Sequence, residues 1–272
     1  MLLGIYTQPK NKVGTLCWWV ISTLIRLCIR TSVACMSFPR LCLNYGTNTK
    51  MYYKLPMYSM SKIITLEEAA EKVKSGCKLG IGGTTLYRRP VAFTRALLQY
   101  FRRTGEPFQL TLITFTAGFE SDLLVGAGLV DTVRTCYFGL EIFGFAPMFT
   151  YRANAGSLNI LEETETSLAL GLRAQMASVG FMPGRAWIGT DLLKLRPDVQ
   201  TVIDPYSGET LVAFPAIHPD ISIIHALRAD PDGNAQIGDN KGVDEELAIA
   251  SEYVIVTAEE IVPELSILRH RE

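Results

Sequence analysis

From residue 60 onward, strand-like and helix-like stretches alternate along the chain, and this alternation sets the fold. Thr65-Leu66-Glu67-Glu68 is a capping box that opens a helix running to a C-cap at Ser75-Gly76. Lys78–Gly82 reads as a short buried strand leading into a glycine-rich turn. Arg89-Pro90 then opens a helix to Arg103, with the proline in the first turn. Further strands are predicted over Gln109–Phe115, Thr132–Phe138 and Ser157–Leu161. Helices separate or follow them over Ser121–Gly126, Gly144–Ala155 and Thr164–Ser178, the last with Leu168, Leu172 and Met176 on one face. Later strands are predicted at Val199–Ile203, Thr210–Ala213, Ile221–Ala226 and Tyr253–Thr257, with a helix at Val243–Ser251. Such alternation builds an α/β domain: an open, mostly parallel sheet with helices on both faces. No 20–50-residue repeat interrupts it, so 60–272 reads as a single domain.

The segment before residue 60 has a different character. It contains no Asp or Glu but seven basic residues, Lys10, Lys12, Arg26, Arg30, Arg40, Lys50 and Lys54. The remainder carries 19 basic and 27 acidic groups, a net of −8 against −1 for the whole chain. Val13–Ile25 is apolar but, at 13 residues, shorter than the roughly 20 of a spanning helix. The segment suits a signal or transit peptide, or an extension ahead of a true start at Met57 or Met60. It is expected to be a disordered, targeting or mis-assigned extension. The cytoplasm is the expected compartment, with an organelle as the alternative if residues 1–59 are retained.

Composition narrows the function classes. A near-neutral chain lacks the basic excess of a general nucleic-acid binder, and no membrane association is expected for 60–272. Six cysteines in 272 residues, four of them before residue 60, do not form a disulfide scaffold. No Walker lysine, paired-histidine zinc motif, Cys-x-x-Cys or Gly-x-Ser-x-Gly elbow is present, and no metal site is expected. Gly80-Ile81-Gly82-Gly83 departs from a dinucleotide fingerprint, because Thr85 stands where the third glycine belongs. His218, His225 and His270 are scattered, and Cys136 in an apolar strand reads as inert core.

What remains is the turn Gly82-Gly83-Thr84-Thr85 at a strand's carboxyl end, where open α/β sheets bind ligands. Its main-chain N–H groups, unshielded at the glycines, suit an oxyanion, and Arg88 and Arg89 suit a phosphate. A tight turn with solvated arginines is the structural alternative. Glu120 and Glu141 follow predicted strands in glycine-flanked loops, placed either to meet substrate or partner or to cap a following helix.

Seven motifs carry a family resemblance, in this order: GIGGTTLYRRP (Gly80–Pro90), FTAGFESDLLVGAG (Phe115–Gly128), YFGLEIFGFAPMF (Tyr137–Phe149), EETETSLALGLRA (Glu162–Ala174), IGTDLL (Ile188–Leu193), HALRADPDGNAQIG (His225–Gly238) and VIVTAEEIV (Val254–Val262). Across Ser61 to about Pro263 the chain resembles the A (alpha) subunit of family I coenzyme A-transferases, particularly the A subunit of the glutaconate CoA-transferase type. The resemblance implies CoA transfer from an acyl-CoA to a carboxylic acid, with coenzyme A thioester as substrate and no permanently bound cofactor. It implies a B (beta) subunit that brings the nucleophilic glutamate. This chain would supply the loop around Gly82 and Gly83 as oxyanion site, with Thr84, Thr85, Arg88, Arg89, Glu120 and Glu141 at the substrate. Many relatives have Gly-Gly-Phe-Gly there, so Thr84 and Thr85 depart and narrow the allowed φ range.

Two alternatives stay open. In relatives that hydrolyse a cyclic acyl-CoA, a catalytic glutamate falls at Glu165, although an acidic residue in a first helical turn also simply complements the helix dipole. A non-enzymatic metabolite-binding domain is the third reading. Gly139–Phe149, apolar and aromatic, is either the interface to a B chain or ordinary core.

Overall fold

The computed structural model describes residues 3–7, 62–105 and 107–265. The apolar run Val13–Ile25 and the alternative starts at Met57 and Met60 lie outside them. Among the described residues, twelve strands form two sheets. They are β1 (Leu3–Thr7), β2 (Ile63–Ile64), β3 (Lys78–Ile81), β4 (Leu110–Ala117), β5 (Val130–Phe138), β6 (Asn159–Glu162), β7 (Phe181–Gly184), β8 (Gln200–Ile203), β9 (Thr210–Pro215), β10 (Ile221–Ala229), β11 (Ala235–Gln236) and β12 (Tyr253–Ile261). Helices are α1 (Leu66–Ala70), α2 (Val91–Thr104), α3 (Phe119–Gly126), α4 (Pro147–Asn154), α5 (Glu165–Met176), α6 (Leu192–Leu195) and α7 (Asp244–Ala250).

The main sheet runs β2-β1-β12-β10-β3-β4-β5-β6, with β11 on β10. From β12 to β6 every neighbouring pair is parallel. The antiparallel strand β1 runs from Leu3 opposite Thr257 to Thr7 opposite Tyr253. One strand near the sheet's edge thus comes from ahead of residue 60.

Successive residues of the parallel strands point to opposite faces, and each face has its own core. Leu79, Ile81, Leu112, Ile223 and Ile255 pack with Phe93 and Leu97 of α2 and Leu124 of α3. Ile113, Ile224, Val254 and Val256 pack with Leu168 and Leu172 of α5 and Leu247 of α7. The alternation Leu112/Ile113 and Ile223/Ile224 follows from the strand period of two, and near-continuous apolar runs are what a sheet buried on both sides requires.

Local signals explain the helix ends. Thr65 Oγ1 accepts from Glu68 N at 3.2 Å, and Glu68 Oε2 accepts from Thr65 N at 2.7 Å. α1 is nevertheless shorter than predicted. After Ala70 the chain turns, and Gly76 at φ +76° donates its N–H to Phe108 O at 2.7 Å. Thr164 caps α5 in the same reciprocal manner with Ser167. Leu168 and Leu172 are buried as expected, whereas Met176, in the last turn, is exposed.

Val199–Ile203 and Thr210–Ala213, predicted simply as later strands, leave the parallel sheet. β8 and β9 pair antiparallel with each other, and β9 pairs with β7. The link 204–209, closed by Gly208 N–H to Asp204 O at 2.9 Å, is too short for a parallel crossover and makes a hairpin instead. β7 escapes the sequence pattern because Pro183 and Gly184 read as breakers, yet a proline is tolerated on an edge strand. A small core of Trp187, Val199, Val212 and Phe214 fills this unit.

Candidate active site

The sheet order creates one topological switch point. From β3 the chain builds outward through β4, β5 and β6, then returns to lay β10 on the other side of β3. The crevice at the carboxyl ends of β3 and β10 is where an open α/β sheet binds ligands. Gly82 and Gly83 leave β3 at that point.

Close approach explains both glycines. A Cβ on Gly82 would lie 2.6 Å from Asp244 Oδ1, and one on Gly83 would lie 2.7 Å from the carbonyl oxygens of both Tyr87 and Arg88. Gly83 is also at φ +94°. A two-residue turn follows: Tyr87 N–H donates to Thr84 O at 2.9 Å, and Thr84 N–H to Tyr87 O at 3.2 Å. Thr85 takes the turn at φ +52°. This left-handed region is costly for a β-branched residue and persists only where the surroundings over-determine it.

The sequence suggested open amides at this turn, and the structure corrects that expectation. Gly82 N–H donates to Ile223 O at 3.0 Å. Gly83 N–H donates to Asp244 Oδ1 at 2.8 Å, and Thr85 N–H to Thr116 Oγ1 at 2.6 Å. With Thr84 bonded to Tyr87, all four amides have acceptors inside the chain.

Arg88 and Arg89 are not solvated, nor do they point outward to a phosphate. Both are 5% exposed. Arg88 donates to Asp244 and to Asn240 O, and Arg89 Nε donates to Glu120 Oε2 at 2.9 Å. Glu120 is fully buried and also accepts from Ser121 Oγ at 2.6 Å. Burial pushes the Glu120 carboxyl up. The hydrogen bonds and charge of Arg89, with the Ser121 hydroxyl, outweigh it and hold the group below the usual carboxylate range. Asp244, from α7, bonds the glycine turn directly through Gly83 N–H, and Glu120, at the start of α3, holds Arg89, which follows the turn.

The remaining candidates share the sheet's carboxyl edge. Glu165 is exposed at the start of α5, after β6. It follows β6, the third strand along from β3 in the sheet. Its neighbour Glu163 is buried instead and is bound by Arg134 at 2.7 Å, Arg196 at 2.9 Å and the Ser167 hydroxyl. Glu141 is exposed at φ +54° and opens a 3-10 turn, Glu141–Phe143. Beside it Ile142, Phe143 and Phe145 are 91%, 74% and 86% exposed, so this stretch is surface rather than core.

Asp244 and Thr116 are the residues sequence reasoning missed. Asp244 stands in the first turn of a predicted helix, where an acid ordinarily signals only the helix dipole, and its partners lie 156 and 161 positions away. Thr116 carries no signal beyond strand propensity. His225, by contrast, is a satisfied structural residue, with Nδ1 2.7 Å from Thr257 Oγ1 and Nε2 2.7 Å from Glu259 Oε1.

Neither described cysteine is an activated nucleophile. Burial pushes the Cys77 thiol up to about 12, with Asp220 adding to it. Burial does the same to Cys136, up to about 12, with Glu163 and Glu165 adding to it. Both thiols therefore stay protonated far above neutrality. Peptide-mapped alkylation of the native protein at pH 8 is expected to leave Cys77 and Cys136 unmodified; rapid labelling of either contradicts these environments.

Comparison with known proteins supplies the family. The profile described as coenzyme A transferase matches residues 63–272. A stretch of 157 residues is 40% identical to a protein of Archaeoglobus fulgidus, covering 57% of this chain and 35% of that one. The chain is 32% identical over 211 residues to the A subunit of 3-oxoadipate CoA-transferase from Pseudomonas knackmussii, covering 76% and 73% of the two chains. It is also 32% identical over 209 residues to the cholesterol ring-cleaving hydrolase IpdA subunit of Rhodococcus jostii, covering 74% and 69%. Among solved structures, a variant of the decarboxylase AibA/AibB superposes with a TM-score of 0.68 at 28% identity, covering 74% and 76%. Glutaconate coenzyme A-transferase of Acidaminococcus fermentans superposes with a TM-score of 0.65 at 28% identity, covering 74% and 68%. The chain belongs to the coenzyme A transferase family, as a family I subunit of the A type.

Proposed function

We propose that this chain is the A subunit of a two-chain enzyme that moves coenzyme A from an acyl-CoA to a carboxylic acid. The observation that carries this reading is the glycine turn at the switch point, flanked by carboxylates that are already committed. Glu120 is taken by Arg89 and Asp244 by Arg88, so neither is free to attack a thioester. The nucleophile must come from elsewhere, and a glutamate of a B chain meets that need. Coenzyme A enters as the thioester substrate rather than as a resident cofactor, and the reading places the enzyme in the cytoplasm. Among the described residues no helix is long and apolar enough to cross a membrane.

The exposed Ile142, Phe143 and Phe145 support a partner surface, since monomeric chains rarely expose such a contiguous apolar group. Phe143→Asp is expected to leave the melting temperature within a degree or two and to weaken co-purification with the B chain at least tenfold. Unchanged association removes this stretch from the interface.

Hydrolysis is the second reading, favoured by the IpdA relative and by the exposed position of Glu165 at the same sheet edge. The two separate on the acceptor. With the B chain present, thioester loss that requires an added carboxylic acid identifies a transferase; loss indifferent to it identifies a hydrolase. Glu165→Gln leaves the former largely active and silences the latter.

A further inference from the structure

Two part-exposed apolar side chains stand beside the switch point. Tyr87, 46% exposed, comes from the turn that leaves β3, and Leu227, 39% exposed, from the carboxyl-terminal half of β10. They converge on Gly238, just after β11: a Cβ there would lie 3.4 Å from Leu227 Cδ1 and 3.7 Å from the Tyr87 hydroxyl oxygen. The ring of Tyr87 is held in place. Its N–H and C=O both bond Thr84, and the Arg88 guanidinium carbon lies 5.5 Å from the ring centroid. The loop beyond Gly238 is tied to the same turn, since Asn240 O accepts from Arg88 and a Cβ on Gly242 would lie 2.7 Å from Thr84 Oγ1. Among the described residues, the cations beside this wall are already paired. Arg88 and Arg89 hold Asp244 and Glu120. Arg228, next in β10 and so on the opposite face from Leu227, binds Glu260 at 2.9 Å, and Lys241 binds Glu245 at 2.6 Å. A carboxylate laid against Tyr87 and Leu227 would lose water without gaining a counter-charge, whereas an apolar chain gains by leaving water.

We infer that Tyr87 and Leu227 form the wall that selects the acyl group, and that the group it takes is an uncharged aliphatic chain rather than one ending in a second carboxylate. This deepens the thioester reading proposed above and rests on it. The wall sits where two strand ends part at the switch point, the place an open α/β sheet offers a ligand. Its two side chains come from separate elements, so each contributes to selection without the other being rebuilt.

The test uses this chain co-purified with its B chain, with acetyl-, butyryl- and succinyl-CoA as donors and labelled acetate as acceptor. The parent is expected to favour butyryl-CoA over succinyl-CoA about tenfold or more in kcat/KM. Leu227→Ala removes part of the wall and lowers the butyryl-to-acetyl ratio of kcat/KM about tenfold. Leu227→Lys places a cation there and raises the succinyl-to-butyryl ratio by about the same factor. A merely structural role for Leu227 would scale all three donors together and leave both ratios unchanged. If the alanine variant does not fold, Tyr87→Ala gives the same fall in the butyryl-to-acetyl ratio. An active parent that prefers succinyl-CoA, or folded variants with unchanged ratios, overturns this inference alone. Loss of co-purification with the B chain in folded Leu227→Ala also overturns it, by assigning the wall to the subunit interface. A parent complex that turns over no acyl-CoA thioester overturns the proposed function and this inference together.

Discussion

Arg89→Met is expected to destabilise the folded chain by about 3–5 kcal/mol, the cost of leaving a buried charge without its partner. Glu120 is fully buried, and its carboxylate depends on Arg89 and Ser121. An arginine that met phosphate at the surface would behave otherwise: its loss would raise KM for acyl-CoA and change stability by no more than about 0.5 kcal/mol. The pH dependence gives an independent check. In the parent, Glu120 titrates below its ordinary range, so its contribution is complete above the unfolded-state carboxylate range and is lost as pH falls through the lower folded value. In the methionine variant burial acts unopposed by Arg89 and raises the carboxyl. Protonation then relieves the buried charge, and the gap between variant and parent narrows on acidification. Urea unfolding at pH 7.5 and pH 5 measures both effects. A gap below about 1 kcal/mol at pH 7.5 contradicts the ion pair as the hold on Arg89 after the glycine turn.

Gly83→Ala is expected to cost more than about 2 kcal/mol of stability and at least a hundredfold in turnover, because small misplacements at a reacting centre carry penalties of that size. Two effects coincide at this residue. Its φ is +94°, and the added Cβ would lie 2.7 Å from two main-chain carbonyl oxygens that cannot move without opening the turn. Gly76→Ala is the control. It has φ +76° but nothing within 4 Å of the added carbon, so only the conformational cost, about 1 kcal/mol, is expected, with turnover unchanged. Equal behaviour of the two variants would show that steric enclosure of the loop plays no part.

The parallel core was legible because it follows from local rules. The two-residue period in Leu112-Ile113 and Ile223-Ile224, and the capping boxes at Thr65 and Thr164, each write their structure within a few residues of sequence. The glycine turn was legible as a turn, and its place after β3 was read correctly. Its amides were not, because their acceptors lie on Ile223, Asp244 and Thr116. Adjacent arginines look like a phosphate site until the fold brings Asp244 and Glu120 beneath them, 156 and 31 positions away. The β7-β9-β8 sheet was hidden by Pro183, and exposure at Ile142–Phe145 is set by the whole surface rather than by composition.

The central claim is that this polypeptide holds the loop while a second chain brings the attacking carboxylate. It is tested most directly by isotope exchange, with an acyl-CoA and a labelled carboxylic acid incubated with this chain alone, with a B-type chain alone, and with both. The account predicts labelled acyl-CoA only in the mixture. Exchange at the full rate by this chain in isolation would contradict it.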